Sequence, residues 1–295
     1  SNRMFARRLA RVVASLSPDA VFVRHLKIAV LLRERFPALP MLYEAHEVFA
    51  DTAAPAKRAR VAALEACALE AATRVVANSD ATAARLRERY APARPMEVVR
   101  NGVERPARMP DKDWAQAAQR IVYAGTLFPW KGAADLVEAA GTLPGCTVTL
   151  AGGEAGEIEA LRARMNASGA KVVFTGRIAP LAVRTLLDAS CIAVLPNRAE
   201  ADSAFTSPIK LFEYMAAGCA VVAADLPAVR EILGERDAAW FAPGDAAALA
   251  QAIRGLVDDP VRARRLGEQL YARSAAHTWQ ARGERLAGLL RGIAG

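Results

Sequence analysis

An α/β architecture with two parallel sheets is the fold class this chain predicts, on three observations. Short β-branched or apolar runs recur along its 295 residues. Helical patterns of roughly ten or more residues separate them, which is the rhythm of βαβ units. The apolar runs are also nearly continuous rather than alternating, as strands become when both faces of a sheet are covered.

The expected strands, in order, are DAVFVRH (19–25), PMLYEAH (40–46), RVVANS (74–79), MEVVRNG (96–102), RIVYAGT (120–126), CTVTLAGG (146–153), KVVFTG (171–176), CIAVLPN (191–197) and CAVVAAD (219–225). Each combines β-branched or apolar residues with a turn-forming or polar end. Helices are expected over about 26–36, 56–72, 80–90, 131–141, 155–168, 179–189, 208–217, 227–234, 245–258 and 260–275. The segment VERPARMPDKDWAQAAQ (103–119) is polar, carries two prolines and interrupts the rhythm. It reads as a linker, dividing the chain into a first domain over 1–104 and a second over 105–276. The closing stretch 277–295, with HTWQARGERLAGLLRG, is an amphipathic helix that can return to either domain.

Composition narrows the function classes. A net charge of +8 and a pI near 9.7 suit an anionic partner. Aromatics total only 6% and are not interleaved with basic runs, which argues against nucleic acid. Much of the arginine lies on helical patterns such as RARVAALEACALEAATR, where a solvated face explains it. The charge is compatible with contact at an anionic membrane face. No apolar run is long enough to cross a bilayer and the N-terminus does not read as a signal peptide, so a cytoplasmic location is expected. Cys67, Cys146, Cys191 and Cys219 stand singly, without metal-ligand spacing, and read as buried reduced thiols. No metal site and no cofactor are expected.

Three stretches carry chemistry. YAGTLFPWKGAADLVEAA (123–140) is a strand, a loop opening at Gly125, and a helix starting near Lys131. Free backbone N–H groups beside a lysine suit a phosphate or diphosphate; an ordinary turn with a solvated lysine is the alternative. The glycines Gly152, Gly153 and Gly176 end two further strands on the same sheet edge, where ligands of open parallel sheets bind. Arg177 there is either a second cation or a surface residue. In SPIKLFEYMAAGCAVVAAD (207–225), Ser207 and Pro208 suit a helix start, and Gly218 its end. Lys210 and Glu213, three apart, share a helix face with Tyr214 beside them. Glu213 can accept from a vicinal diol; the plainer reading is a surface ion pair.

GTLFPWKG, SPIKLFEYMAAGCAVVAAD, DLPAVREI and FAPGDAAALAQAI, in this order, resemble the C-terminal half of the family-4 (group 1) glycosyltransferases of the GT-B fold. YEAHE, VVANSDATAARLRERY and VVRNGV are similar to the end of that family's N-terminal domain. The resemblance runs from about residue 19 to 290. It implies two Rossmann-like domains facing a cleft, the first truncated, because members carry further βα units before the part matching residue 19. It implies a retaining, metal-independent transfer of a sugar from a nucleotide-diphosphate sugar to an acceptor hydroxyl, lipid-linked or saccharide, in bacterial polysaccharide or glycoconjugate synthesis. By position, Lys131 matches the lysine on the donor diphosphate, and Gly125 and Gly153 line its loop. Thr126 stands where many members have an arginine, for which Arg177, Arg198 or Lys210 would substitute. Glu213 matches the second acid of a paired-glutamate motif that holds the ribose; Phe205 stands at the first, with Glu200 and Asp202 nearby. Thr206, Ser207, Pro208 and Ile209 match the backbone that binds the transferred sugar. His46 matches a histidine on the acceptor side; a satisfied, partly buried histidine is the reading without the resemblance. A nucleotide-sugar 2-epimerase and a non-catalytic nucleotide-sugar-binding subunit are the rival functions.

Overall fold

The computed structural model describes residues 2–165, 169–199 and 209–295. The chain divides into two compact units, the first holding residues 2–101 and 280–295, the second 102–279 less the undescribed residues.

The first unit opens with α1 (Asn2–Leu16), followed by β1 (Val21–Val23), α2 (Leu26–Arg35), β2 (Met41–Ala45), α3 (Phe49–Thr52), α4 (Arg58–Ala71), β3 (Arg74–Ala77), α5 (Asp80–Tyr90) and β4 (Met96–Val98). The four strands make a parallel sheet in sequential order, β1-β2-β3-β4. Every residue of β2 is buried, which explains its unbroken run of large side chains. One core cluster gathers Leu26, Leu32, Met41, Tyr43, Leu69 and Leu86. α1 was not foreseen, although Leu9 and Val13, four apart, put an apolar stripe on one helix face and pack into this core.

The second unit contains β5 (Ile121–Ala124), α6 (Ala133–Ala140), β6 (Thr147–Ala151), α7 (Ala155–Arg162), β7 (Lys171–Gly176), α8 (Pro180–Ala189), β8 (Ile192–Leu195), α9 (Ile209–Ala216), β9 (Ala220–Ala224), α10 (Pro227–Arg230), β10 (Ala239–Phe241), α11 (Ala246–Val257) and α12 (Pro260–Arg273). Its six strands form a parallel sheet in the order β10-β9-β8-β5-β6-β7. β10 is the strand that the pattern reading did not anticipate. The chain winds outward in both directions from the β5–β8 pair, so the topological switch point falls there. Ligands of open α/β sheets bind beyond the carboxyl ends of the strands at that point.

The last helix, α13 (Trp279–Ala294), returns to the first unit, where Leu289 packs with Leu42, Val76 and Val99. Its Arg282 donates to the Val99 and Arg100 carbonyls, at 2.7 and 2.8 Å, and to the buried Glu44 carboxylate.

The polar segment 103–119 is packed rather than extended. Val103 bridges Thr278, and Trp114–Gln119 is a 3-10 helix with Ala117 buried. Lys112 is only 8% exposed, and its ammonium donates to the carbonyls of Leu187, Asp188 and Ser190 at the end of α8. These are the carbonyls a helix leaves without partners, so the lysine acts as a C-terminal cap. Lys112→Met should remove the donor of the Asp188 carbonyl and weaken the bonding of the other two, which Ser190 N–H and Cys219 Sγ also reach, lowering stability by about 2 kcal/mol, read as a leftward shift of the urea midpoint. An unchanged midpoint would remove the capping role.

Of the four cysteines, Cys146, Cys191 and Cys219 are buried free thiols, while Cys67 is exposed on α4. The expectation of four buried thiols fails there because Cys67 falls on the outward face of that helix.

Candidate active site

The loop after β5 is built by backbone constraint. Gly125 N–H donates to the Ala151 carbonyl at 2.8 Å, and Gly152 N–H to the Gly176 carbonyl at 2.8 Å, lacing together the loops after β5, β6 and β7. The 3-10 turn Pro129–Lys131 follows, and Gly132 then enters α6 with a left-handed φ of 71°. A Cβ at Gly132 would overlap the Pro196 carbonyl oxygen of the loop after β8. The two loops that flank the switch point therefore touch through a position only glycine can fill.

Onto this frame the structure brings two amines. Lys131 Nζ lies 3.6 Å from the centroid of the Trp130 ring. Lys210, at the start of α9, reaches back across Gly125, occupying the space a Cβ there would need, and donates to the Tyr123 hydroxyl at 3.1 Å. The Tyr123 hydroxyl in turn donates to the Thr126 carbonyl at 2.5 Å. α9 is pinned by Tyr214, whose buried hydroxyl accepts from Ala124 N–H at 3.0 Å. Sequence spacing gave no sign of Tyr123 or Trp130 as partners of these lysines; both are large aromatics beside the loop, and only the fold points them at the amines.

Burial pushes Lys131 down to about 8, and it pushes Lys210 further, to about 7, with the neighbouring Lys131 charge adding to the effect and Glu213 opposing it. Burial likewise raises the Glu213 carboxyl, with Lys210 and Arg184 pulling the other way. Lys210 thus feels both Lys131 and Glu213, and the three groups share one neighbourhood. A site of two partly discharged amines is poised to recover charge when a polyanion arrives. The unliganded chain binds fewer protons at the lysines than its unfolded form between about pH 7 and 10, so their contribution to stability rises with pH across that window.

The other expected cations are engaged by carboxylates. Arg177 pairs with Glu154 at 2.8 Å, with both side chains mostly exposed. Arg198 makes a two-pronged bond to the buried carboxylate of Asp135, at 2.8 and 2.5 Å. Of the three substitutes for the arginine absent at Thr126, Lys210 is the one whose amine lies at the Gly125 loop. The surface ion pair of Lys210 with Glu213 is not formed; the amine is half-buried and bonded to Tyr123 instead. Gly153 packs against Leu127 beneath the loop, and Ile209 is exposed at the start of α9. Glu200, Asp202, Phe205, Thr206, Ser207 and Pro208 lie outside the described residues. In the first unit, His46 follows β2 and accepts from Arg24 at 2.6 Å. Among the described residues no group of three or more His, Cys, Asp or Glu could hold a metal ion, and no helix is long and apolar enough to cross a membrane.

Two family models match the chain. One described as Glycosyltransferase Family 4 covers residues 2–105, and one described as Glycosyl transferases group 1 covers residues 118–259. The chain belongs to the group 1, family 4 glycosyltransferases. Glycogen synthase of Mycobacterium tuberculosis is 32% identical over 184 residues, a match that spans 57% of this chain and 41% of that protein, less than half its length. Sucrose-phosphate synthase from Thermosynechococcus elongatus superposes with a TM-score of 0.80 at 23% identity, over 98% of this chain and 77% of that one. Anabaena HepE, solved in complex with UDP, gives 0.80 at 20% identity over 98% and 82%. A HepE complex with UDP-glucose gives 0.77. At these identities the structural likeness establishes the fold, which is GT-B: two Rossmann-like α/β sets with parallel sheets. In this family member the amines of Lys131 and Lys210 stand at the switch point of the second set.

Proposed function

We propose that this glycosyltransferase moves a sugar, with retention, from a nucleotide-diphosphate sugar to an acceptor hydroxyl in bacterial glycan synthesis at the cytoplasmic side. The observation that carries the reading is the placing of Lys131 and Lys210 at the Gly125 loop beyond the carboxyl end of β5, with Glu213 three residues along α9 from Lys210. The UDP and UDP-glucose complexes of HepE support a sugar nucleotide as donor.

On this reading Lys131, Lys210 and the N–H groups of the Gly125 loop bind the diphosphate and stabilise the negative charge that grows as it departs. That is preorganised electrostatic stabilisation, and it needs no resident metal to neutralise the leaving group. Glu213 accepts from the ribose hydroxyls, Ile209 and the residues before it contact the transferred sugar, and His46 serves the acceptor. The reacting carbon gains oxocarbenium character, and the departing phosphate takes the acceptor's proton.

Thermal shift with UDP, GDP and ADP, followed by turnover of the matching sugar nucleotides, tests the reading. Stabilisation by one nucleotide and acceptor-dependent release of it support transfer. Binding without turnover selects a non-catalytic subunit, and conversion of the sugar nucleotide without acceptor selects an epimerase. No stabilisation by any nucleotide overturns the proposal.

The lysines add a sharper expectation. A diphosphate favours their charged forms, so binding near pH 8 should take up about one proton, and affinity should fall as pH rises from 7 to 9. Calorimetry in buffers of different ionisation enthalpy measures this directly. Proton-neutral binding would remove the two amines from the site.

A further inference from the structure

The first unit holds an arrangement that the donor site does not use. Glu44 sits within β2 and is completely buried. One of its carboxylate oxygens is taken by Arg282 of α13. The other, Oε2, is buried without any hydrogen-bond partner. It lies 3.4 Å from His46 Nε2 and 3.5 Å from Arg24 Nε. A buried carboxylate oxygen left without a donor is costly, so a donor is in demand at that spot.

The group facing it cannot supply one as it stands. Arg24 Nε donates to His46 Nε2 at 2.6 Å, which makes that nitrogen the acceptor, and Arg24 Nη2 lies 3.4 Å from Nδ1. The backbone at His46 is tied down, because Asn78 Nδ2 donates to the His46 carbonyl at 2.7 Å. Arg24, by contrast, has a side chain 61% exposed and is free to leave. The other charges near these elements are engaged elsewhere: Glu47 accepts from the Thr52 hydroxyl, and Arg100 pairs with Asp80.

We propose that Glu44 is the positioning residue of His46, and that Arg24, His46 and Glu44 form a proton-operated switch at the carboxyl end of β2. In the neutral state His46 Nε2 accepts from Arg24. When a proton from solvent binds Nε2, the bond from Arg24 breaks and Nε2–H donates to Glu44 Oε2. The extra positive charge beside Arg24 and Arg282 then drives the exposed guanidinium of Arg24 outward, where its N–H fork is open to an anionic group. The geometry favours this direction because Glu44 cannot move: it is locked by Arg282, which is itself tied to two backbone carbonyls. That the switch acts on an acceptor rests on the transferase reading; the switch itself does not.

The test is nuclear magnetic resonance of the imidazole protons and nitrogens across pH in the intact chain, which has only three histidines. His46→Gln assigns the signal. Glu44→Gln should move the His46 titration midpoint to lower pH by about one unit, since it removes an adjacent opposite charge. Arg24→Gln should move it to higher pH and shift the neutral ring's tautomer balance. Opposite shifts support the switch. No shift in either variant, or shifts in one direction, overturns it. Should Glu44→Gln fail to fold, the exposed Arg24→Gln decides alone, and an unmoved midpoint and tautomer there overturn the proposal. The readout needs no sugar nucleotide, so it stands or falls separately from the transfer reaction.

Discussion

Lys210→Ala should lower kcat/KM for transfer by about a hundredfold or more while leaving the unliganded protein as stable as before or more so. The two halves have one cause. The amine is half-buried over Gly125, pushed down to about 7 by burial and by Lys131, and its hydrogen bond goes to a neutral tyrosine. Holding such an amine costs the empty protein desolvation, which its removal relieves. In the presence of a departing diphosphate the same amine gains its charge and a partner, and deleting one preorganised donor of this kind costs about 10²–10³ in rate. Lys131→Ala should behave alike in rate, losing in addition its stacking on Trp130. Melting curves with and without nucleotide, beside steady-state kinetics, separate the two effects. A destabilised Lys210→Ala with unchanged kcat/KM would make the lysine structural and remove it from the donor site.

Gly132→Ala should be among the most damaging small substitutions in the second unit, costing about 3 kcal/mol or more. Its φ of 71° already penalises any side chain, and the added methyl would overlap a backbone carbonyl, that of Pro196, which cannot rotate aside. Either the loop after β5 or the loop after β8 must shift, and both flank the switch point. Gly125→Ala makes an informative contrast. Its φ is 154°, and the space its methyl needs is held by the flexible end of Lys210. A flexible amine can move, so the cost to stability should be smaller, about 1–2 kcal/mol, while nucleotide binding should fall as it does in Lys210→Ala. Urea midpoints and nucleotide-dependent Tm shifts for both variants check this. Equal loss of stability in the two would mean that the Lys210 side chain is not free to yield.

Much of this was legible in the chain itself. The alternation of apolar runs with helical patterns gave the α/β class and nine of the ten strands among the described residues, because burial on both faces leaves an unbroken hydrophobic signature that local reading detects. The loop Gly125–Gly132 and the pair Lys210 and Glu213 were likewise marked by local chemistry: a strand, a glycine turn, a lysine at a helix start, two polar groups a turn apart. What local reading could not rank was the competing arginines. Arg177 and Arg198 stood as plausible as Lys210 until packing gave each a carboxylate, Glu154 and Asp135, that lies far away in sequence. Nor could local reading foresee that Lys112, within the polar segment 103–119, is buried where its amine reaches the carbonyls at the end of α8.

By itself, then, the sequence determined which segments become strands and helices and which residues open the loop after β5, since those follow from periodicity and turn chemistry over a few neighbouring positions. The tertiary structure alone decided that Lys210 crosses Gly125 to reach Tyr123, that two amines lose part of their charge together, and that one oxygen of the buried Glu44 faces His46 without a hydrogen-bond donor. Desolvation and charge coupling depend on distance through space, and the chain acquires those distances only when strands from remote segments pair at one sheet edge.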